Sequence, residues 1–299
     1  MSVNQAVIFT KPVHHLGIDL SPARLDELAR TFFESKGFSF VVSKKVTGPE
    51  LAAREVIRKH YLIYSTAVHA DPLAVNVAGK EKFAASFGKT WEDEVAAGRI
   101  LSTVALLKAK GISVHQLFNH WNRLFAGGKT VKLQDGVIMA YISELDAYCV
   151  NAFYPSMEAN FYHPETEIRY YVVEFDSEKT SWSAFRKKVL GSTNASNAVP
   201  ESFRGQLYSE YPVKFPGRDN FVHGSAGPFE AFVERAIHEP DFDMASNPIG
   251  GYLAIQGVTP ESFARWKAAR SITAIGDLFD ATEEKNTNEI LPILDEISF

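Results

Sequence analysis

The segment EIRYYVVEF, residues 167–175, decides how this chain is organised. It is rich in β-branched and aromatic side chains, so it predicts a largely buried β-strand. Two segments of the same kind come much earlier, AVIFTK at 6–11 and FSFVVSKKV at 38–46, and a short fourth strand is predicted at 220–222. The predicted strands therefore fall into two groups, separated by about a hundred residues of a different pattern.

Helical patterns follow these strands. Ser21 and Pro22 supply an N-cap and a first-turn proline for a helix with a regular apolar stripe. Further helices are predicted at 49–64, at 181–191 and from Ala226 onward. The resulting β-α-β-α…β-α-β-α order predicts an α+β protein with a ferredoxin-like sandwich.

The intervening residues interrupt that order. Two of their segments predict helices that each end at a glycine, and DGVIMAYISELDAYCVNAFYPSM, residues 135–157, is also predicted to be helical. We therefore expect a discontinuous sandwich domain, residues 1–65 and 166–240, with a mostly helical insertion at 66–165 and a C-terminal extension at 241–299.

Composition excludes several classes of function. The 299 residues carry a formal net charge of -5, which gives no electrostatic footprint for nucleic acid. No run of apolar residues is long enough for a membrane helix, and the first residues lack the pattern of a secretory signal, so a cytoplasmic protein is expected.

Cys149 is the sole cysteine, which excludes a cysteine metal cluster. His115 and His120 are five residues apart, a spacing that does not stack two metal ligands on one helix face, so no metal site made of protein ligands is expected.

The segment NFVHGSAGPFEAFVERAI, residues 220–237, holds the strongest candidate for chemistry. His223 precedes Gly-Ser and the start of a helix, and a helix N-terminus favours bound anions. Glu234 lies a little over two turns into that helix, so it could reach back to one imidazole nitrogen and leave the other as a nucleophile. The alternative is a structural histidine whose ring Glu234 simply satisfies.

Cationic and hydroxyl side chains elsewhere could surround a phosphate. Lys11 ends the first strand, and Thr193 and Arg204 flank the loop at 191–205. A lysine and a forked arginine around a nucleophilic histidine suit phosphoryl transfer, which mainly needs positioning and charge neutralisation. Taken singly, each of these is also an ordinary surface residue.

Five short motifs, in chain order, resemble the signature of nucleoside diphosphate kinases. They are Lys-Pro after the first strand, Lys-His-Tyr in the second helix, LGSTN, PESFRG, and NFVHGS with a downstream glutamate. The resemblance covers residues 5–64 and 167–238. It implies a nucleoside diphosphate kinase-like sandwich and a Mg²⁺-dependent, ping-pong exchange of the γ-phosphoryl group between nucleoside triphosphates and diphosphates.

The resemblance also assigns roles. His223 would be phosphorylated transiently, with Glu234 and Ser225 orienting it and Lys11 taking part in catalysis. The residues around the nucleotide's phosphates and ribose would be Lys11, Tyr61, Lys187 (or Arg186 if the gap shifts by one), Thr193, Arg204 and Asn220. Ala226 stands where the family has an acidic residue, which bears on Mg²⁺ binding. Family members usually assemble through the common core, which implies a homo-oligomer unless the insertion and the tail block those contacts.

Two other interpretations stay open. The phosphoryl group on His223 could go to a different acceptor that the insertion admits. Alternatively, the chain could be a nucleotide-binding or scaffolding protein with residual turnover or none. The joint presence of Lys11, Arg204, His223 and Glu234 favours an enzyme, because a scaffold has no need of all four.

Overall fold

The computed structural model describes residues 3–70 and 73–299. The chain divides into two compact units. The first unit runs up to Val56 and resumes over Phe161–Phe299, and the second unit is Ile57–Asn160.

The strands of the described residues are, in chain order, β1 (Val3–Thr10), β2 (Ser39–Thr47), β3 (Val131–Gln134), β4 (Val137–Ile142), β5 (Ala147–Val150), β6 (Glu167–Asp176) and β7 (Val222–Gly224). The α-helices are α1 (Pro22–Ser35), α2 (Gly48–Ala53), α3 (Val56–His60), α4 (Leu62–His69), α5 (Val77–Phe87), α6 (Trp91–Ala96), α7 (Thr103–Lys110), α8 (Val114–Ala126), α9 (Phe153–Tyr162), α10 (Trp182–Ala184), α11 (Phe203–Glu210), α12 (Pro228–His238), α13 (Pro248–Ile255), α14 (Pro260–Ala268), α15 (Ile272–Thr282) and α16 (Thr287–Asp295). A π-helical stretch, Phe185–Leu190, continues α10, and 3₁₀ turns occur at Ser143–Leu145, Ala195–Asn197 and Met244–Ser246.

The first unit is built on a four-stranded sheet. Its strand order is β2-β6-β1-β7, and every neighbouring pair is antiparallel. The predicted strands at 6–11, 38–46 and 167–175 therefore lie in one sheet, as expected. In this order β6 lies between β1 and β2, and β1 lies between β6 and β7. The two strands that each helical connection joins are therefore not neighbours in the sheet, which is the order expected of a ferredoxin-like sandwich.

The two faces of β1 carry different layers. Ala6 and Ile8 point to a core that α1 and the segments after β6 complete with aromatic rings such as Phe33. Phe9 points the other way, toward α12, where its ring lies 5.1 Å from that of His238. Side chains alternate across a strand, so one strand serves both layers. Each fully buried large apolar side chain contributes about 1.5–3 kcal/mol to folding.

The C-terminal helices belong to the first unit and share a core with α12. Phe229 and Phe232 of α12 lie in one apolar cluster with Leu253, Trp266 and Ile290. The predicted apolar face of α12 is therefore covered by this C-terminal part of the chain. The boundary of a separate extension at 241–299 stays a prediction.

The second unit contains a sheet that the sequence interpretation missed. Strands β3, β4 and β5 form an antiparallel meander, so the prediction that 135–157 is helical is wrong for most of that segment. Gly136 has φ 70° and Asp146 has φ 44°, which places a turn before β4 and another before β5. Strands β4 and β5 are mostly buried, and a short continuous apolar run does not distinguish a buried strand from a helix. The unit therefore contains a three-stranded sheet beside its helices, and its status as an insertion stays a prediction.

The helix predicted at 49–64 is divided among α2, α3 and α4, because Glu55 has φ 52° and ends the first of them. Cys149 is fully buried in β5, where burial raises the pKa of its thiol to about 12. None of the helices among the described residues is both long and apolar enough to cross a bilayer.

Candidate functional site

His223 lies in β7, directly opposite Phe9 of β1. The two rings stack with their centroids 4.6 Å apart and 17° between their planes, and 15% of the His223 side chain is exposed. Phe221 precedes the strand with φ 68°, a left-handed conformation that costs a residue with a side chain about 1–2 kcal/mol. Its carbonyl accepts a hydrogen bond of 2.7 Å from the N–H of Lys11, which ties the start of β7 to the end of β1.

Two glycines allow the segment after His223 to pack closely against other parts of the chain. A Cβ atom on Gly224 would come within 2.6 Å of the Leu190 side chain. A Cβ atom on Gly227 would lie 2.7 Å from the carbonyl oxygen of Thr282 and 3.2 Å from the Cα of Glu283. The segment therefore packs against the π-helical stretch at one glycine and against the C-terminal part of the chain at the other.

A carboxylate and a hydroxyl orient the imidazole. Nε2 of His223 lies 2.7 Å from Oε1 of Glu234, as the spacing in the sequence predicted it could. Ser225 donates a hydrogen bond of 2.6 Å to Oε2 of Glu234, and its hydroxyl oxygen accepts one of 3.0 Å from the N–H of Val7. Glu234 and Ser225 are both buried. The Glu234 carboxyl is therefore fixed between the ring and the backbone of β1 through Ser225.

Burial governs the charge of this pair. It lowers the pKa of His223 to about 3, with Lys11 and Arg204 acting in the same direction and Glu230 opposing them. Burial also raises the pKa of Glu234 to about 8, against the hydrogen bond from Ser225. Near neutral pH, the imidazole is therefore uncharged, and burial favours the protonated form of the Glu234 carboxyl.

The half-buried Lys11 lies within reach of the charge of the buried Arg204. Burial and the charge of Arg204 lower the pKa of Lys11 to about 7, and its Nζ donates to the carbonyl of Arg218 at 3.2 Å. The two terminal nitrogens of Arg204 donate to the carbonyls of Gly191 and Val222, at 2.8 and 2.7 Å. Arg204 thus joins the loop after the π-helical stretch to β7, and its direct contact with a phosphate stays a prediction.

Asn220 also holds the loop that follows the π-helical stretch. Its Nδ2 donates to the carbonyl of Thr193 at 2.6 Å and to that of Gly217 at 3.3 Å. Asn220 is 1% exposed, and its buried Oδ1 accepts no hydrogen bond from the residues described. The Thr193 side chain is exposed. The structure brings both residues next to β7, and their contacts with a nucleotide stay predictions.

Arg186 and Lys187 differ in their surroundings. Arg186 is one of the cations whose charge lowers the pKa of His223. The Lys187 side chain is 64% exposed, and its Nζ lies 2.5 Å from Oε2 of Glu284. The alternative alignment, with Arg186 as the second cation, is therefore the one that this electrostatic arrangement favours.

Tyr61 lies in the second unit, at the residue before α4. Its ring packs edge-on against that of His60, with centroids 4.5 Å apart. Its predicted role beside a nucleotide stays a prediction.

Glu230 was not predicted. It lies in the first turn of α12, and one of its carboxylate oxygens accepts a hydrogen bond from the N–H of Ala226. Burial and the nearby Glu234 raise its pKa to about 7. An acidic residue in a first helical turn is a known capping signal, and it could have indicated this position.

No protein-family model matches this chain, and no curated protein matches it in sequence. Solved structures that resemble it include three nucleoside diphosphate kinases. The one from Encephalitozoon cuniculi is 17% identical, with a TM-score of 0.37 over 80% of this chain and 90% of that chain. The one from Aquifex aeolicus is 12% identical, with a TM-score of 0.39 over 79% and 95%. The one from Borrelia burgdorferi, with bound vanadate and ADP, is 16% identical, with a TM-score of 0.35 over 81% and 89%. A likeness of this degree establishes neither family nor activity.

Proposed function

We propose that this protein is a phosphotransferase that moves the γ-phosphoryl group of a nucleoside triphosphate to a nucleoside diphosphate through His223. The observation that supports this most directly is the 2.7 Å contact between Nε2 of His223 and the buried carboxyl of Glu234. A ring that is oriented by a carboxyl group and kept uncharged beside cations meets the requirements of a histidine nucleophile.

In the first half-reaction, Nδ1 is the attacking atom, because Nε2 is engaged by Glu234. A P–N bond forms at Nδ1, the bond between the γ-phosphorus and the bridging oxygen breaks, and the nucleoside diphosphate leaves with that oxygen. The ionised form of Glu234 accepts the Nε2 proton as positive charge develops on the ring, and the raised pKa of this carboxyl makes its ionised form the stronger base. In the second half-reaction, a terminal oxygen of the acceptor diphosphate attacks the phosphorus and the P–N bond breaks.

Lys11 and Arg186 are the cations that we assign to the phosphates. Both act on the charge of His223, so each is close enough for its field to reach a phosphoryl group there. Phosphoryl transfer depends mainly on positioning and on neutralising the charge of the transferred group. Arg204 supports them by holding the loop at Gly191 and the strand at Val222.

Mg²⁺ would enter with the nucleotide, because this ion is usually held by substrate phosphates and one or two carboxylates. Ala226 offers no side-chain oxygen, but the Glu230 carboxylate reaches back to the backbone of Ala226. We therefore assign Glu230 as the carboxylate that would hold the ion. When bound, Mg²⁺ would neutralise charge on the transferred phosphoryl group.

The proposal includes the more specific predictions that the sequence resemblance implies. They describe a divergent nucleoside diphosphate kinase whose sandwich is interrupted near 66–165 and that assembles as a homo-oligomer in the cytoplasm. Nucleoside triphosphates and diphosphates would be its small-molecule partners. The ordered motifs ending in NFVHGS and the His223–Glu234 contact support this version of the proposal.

The test is phosphorylation of the protein itself. Incubated with ATP labelled at the γ-phosphate and with Mg²⁺, the chain should acquire one phosphoryl group that is labile in acid and stable in base. A nucleoside diphosphate should discharge it as the triphosphate. The His223→Gln variant should lose both steps, and Glu234→Gln should label more slowly, because the orienting group is weakened.

His163→Gln is the matched control. His163 is an exposed histidine of the first unit, so its loss should leave labelling unchanged. A label that diphosphates cannot discharge would indicate a different acceptor. If the folded protein bound ATP without labelling, the scaffold interpretation would replace this one. Nucleotide exchange that persists in His223→Gln would rule out the mechanism.

A further inference from the structure

Two glutamates of the C-terminal region form ion pairs with Arg186 and Lys187, in the π-helical stretch that continues α10. They lie between α15 and α16, in a segment that we call the strap, residues 282–287. Glu283 forms an ion pair with the Arg186 guanidinium, and Oε1 of Glu284 lies 3.5 Å from the same group. The other oxygen of Glu284 lies 2.5 Å from Nζ of Lys187 and accepts a hydrogen bond of 3.0 Å from Ser183. Both cations are therefore neutralised from within the chain.

The strap also contacts the segment that follows the catalytic histidine. The N–H of Glu284 donates to the carbonyl of Ala226 at 3.0 Å. The carbonyl oxygen of Thr282 would lie 2.7 Å from a Cβ atom on Gly227, so only a residue without a side chain fits there without a shift. The strap thus contacts the residues three and four positions after His223, where α12 begins.

The far end of the strap is anchored independently of the cations. Oδ1 of Asn286 accepts hydrogen bonds from Asn4 at 2.8 Å and from the N–H of Trp182 at 2.9 Å. The N–H of Thr287 donates to Oδ1 of Asn4 at 2.9 Å. Release of Glu283 and Glu284 would therefore leave the start of α16 in place.

The backbone at the centre of the strap is strained. Glu284 has φ 56°, a left-handed conformation that residues with a side chain adopt only at a cost. Ion pairs that are partly exposed are weak, and those of Glu283 and Glu284 leave 29–41% of the glutamate side chains in solvent. A strained segment held by weak pairs can be displaced by a ligand with more charge.

We propose that the strap is an autoinhibitory element, in which the carboxylates of Glu283 and Glu284 stand in for phosphate groups on Arg186 while Lys187 holds Glu284 in place. A nucleotide must displace them before its phosphates reach Arg186. The inference rests on the proposed function, because it is the phosphates of the nucleotide that compete with the strap. A purely structural strap would instead stabilise the fold and leave nucleotide affinity unchanged.

The test compares the affinity for Mg²⁺–ADP of three full-length proteins: the wild type, the double variant Glu283→Gln/Glu284→Gln and a control. The double variant keeps the shape of both side chains and removes their charge. It should bind Mg²⁺–ADP about two- to thirtyfold more tightly, the range expected for two partly exposed ion pairs. The control, Glu261→Gln/Glu296→Gln, makes the same change in net charge at two exposed positions of the C-terminal helices and should match the wild type.

A second measurement needs no variant. In the wild-type protein, hydrogen exchange over 282–287 should become faster when Mg²⁺–ADP binds, because the bond from the Glu284 N–H to Ala226 is given up. Equal affinities in all three proteins, or exchange that does not change on binding, would overturn the strap and leave the proposed function standing. If none of the three binds Mg²⁺–ADP, the proposed function fails and the strap has nothing to inhibit.

Discussion

His223 keeps its ring uncharged over a wider pH range than an exposed histidine does. Burial disfavours the imidazolium, and the charges of Lys11 and Arg204 oppose it further. Glu230 is the group that favours it. Since an imidazolium has no lone pair for attack on phosphorus, the balance among these groups sets the pH at which the ring stops being a nucleophile.

The His223 ring should therefore stay uncharged as the pH is lowered through the range where an exposed histidine becomes protonated, about 6.5. The pKa of His223 is lowered to about 3, so protonation of the ring should begin well below pH 6. Imidazole NMR shifts assigned with the His223→Gln variant, followed from pH 8 to pH 5, check this, and circular dichroism at each pH confirms that the fold persists. A titration of the His223 signals with a midpoint near pH 6.5 would show that the ring is solvated.

At the scale of elements, Arg204 of α11 connects two segments that meet at the site. It holds the carbonyl of Gly191, after the π-helical stretch, and that of Val222 in β7. Removing a buried group that satisfies two carbonyls costs about 1–3 kcal/mol for each acceptor left without a donor. Lys187 has no comparable role, since its side chain is mostly exposed.

Arg204→Ala should therefore reduce both stability and phosphoryl transfer, with transfer falling by about tenfold or more. Lys187→Ala should change the unfolding free energy by less than about 0.5 kcal/mol, as surface substitutions usually do. Urea unfolding and the rate of nucleotide exchange, measured on both variants, distinguish them. Arg204→Lys keeps the charge without the fork and should recover only part of each loss. Equal losses in Arg204→Ala and Lys187→Ala would mean that the site is wrongly assembled.

Elements with a strong periodic pattern could be predicted from the sequence. The strands near 6–11, 38–46 and 167–175 were, because β-branched and aromatic residues bounded by turns indicate strands. The strands within 135–157 were not, since burial on both faces removes the alternation that identifies a strand.

In the candidate site, too, some contacts could be predicted from the sequence and others could not. The pairing of His223 with Glu234 follows from eleven residues of spacing within a strand and a helix, so local geometry predicts it. The contact of Glu283 with Arg186 joins positions 97 residues apart, and no local pattern encodes such a pairing. The role of Glu230 depends on how deeply α12 is buried, which the sequence does not state.

At the scale of the whole molecule, each of the two units has apolar clusters of its own. The first unit's sheet is covered on one face by the cluster that contains Phe33, and the second unit has a separate cluster around Met139. A separate core is what an independently cooperative region requires.

Met139→Ala should therefore destabilise the second unit selectively. Met139 is fully buried, and truncating such a side chain to alanine costs about 2–5 kcal/mol. Hydrogen exchange followed by mass spectrometry should show faster exchange in peptides from 57–160, while peptides from β1 and β6 keep their protection. Equal acceleration in both sets of peptides would indicate that the chain unfolds as one cooperative unit.

The burial of Cys149 has a practical consequence. Its thiol is enclosed in β5 and its pKa is raised to about 12, so it does not form the thiolate that reacts with maleimides at neutral pH. A cysteine introduced at the exposed Lys285 would then be the single reactive thiol in an otherwise native sequence. A fluorophore attached there would report on movement of its segment in real time, without any need to replace the native cysteine.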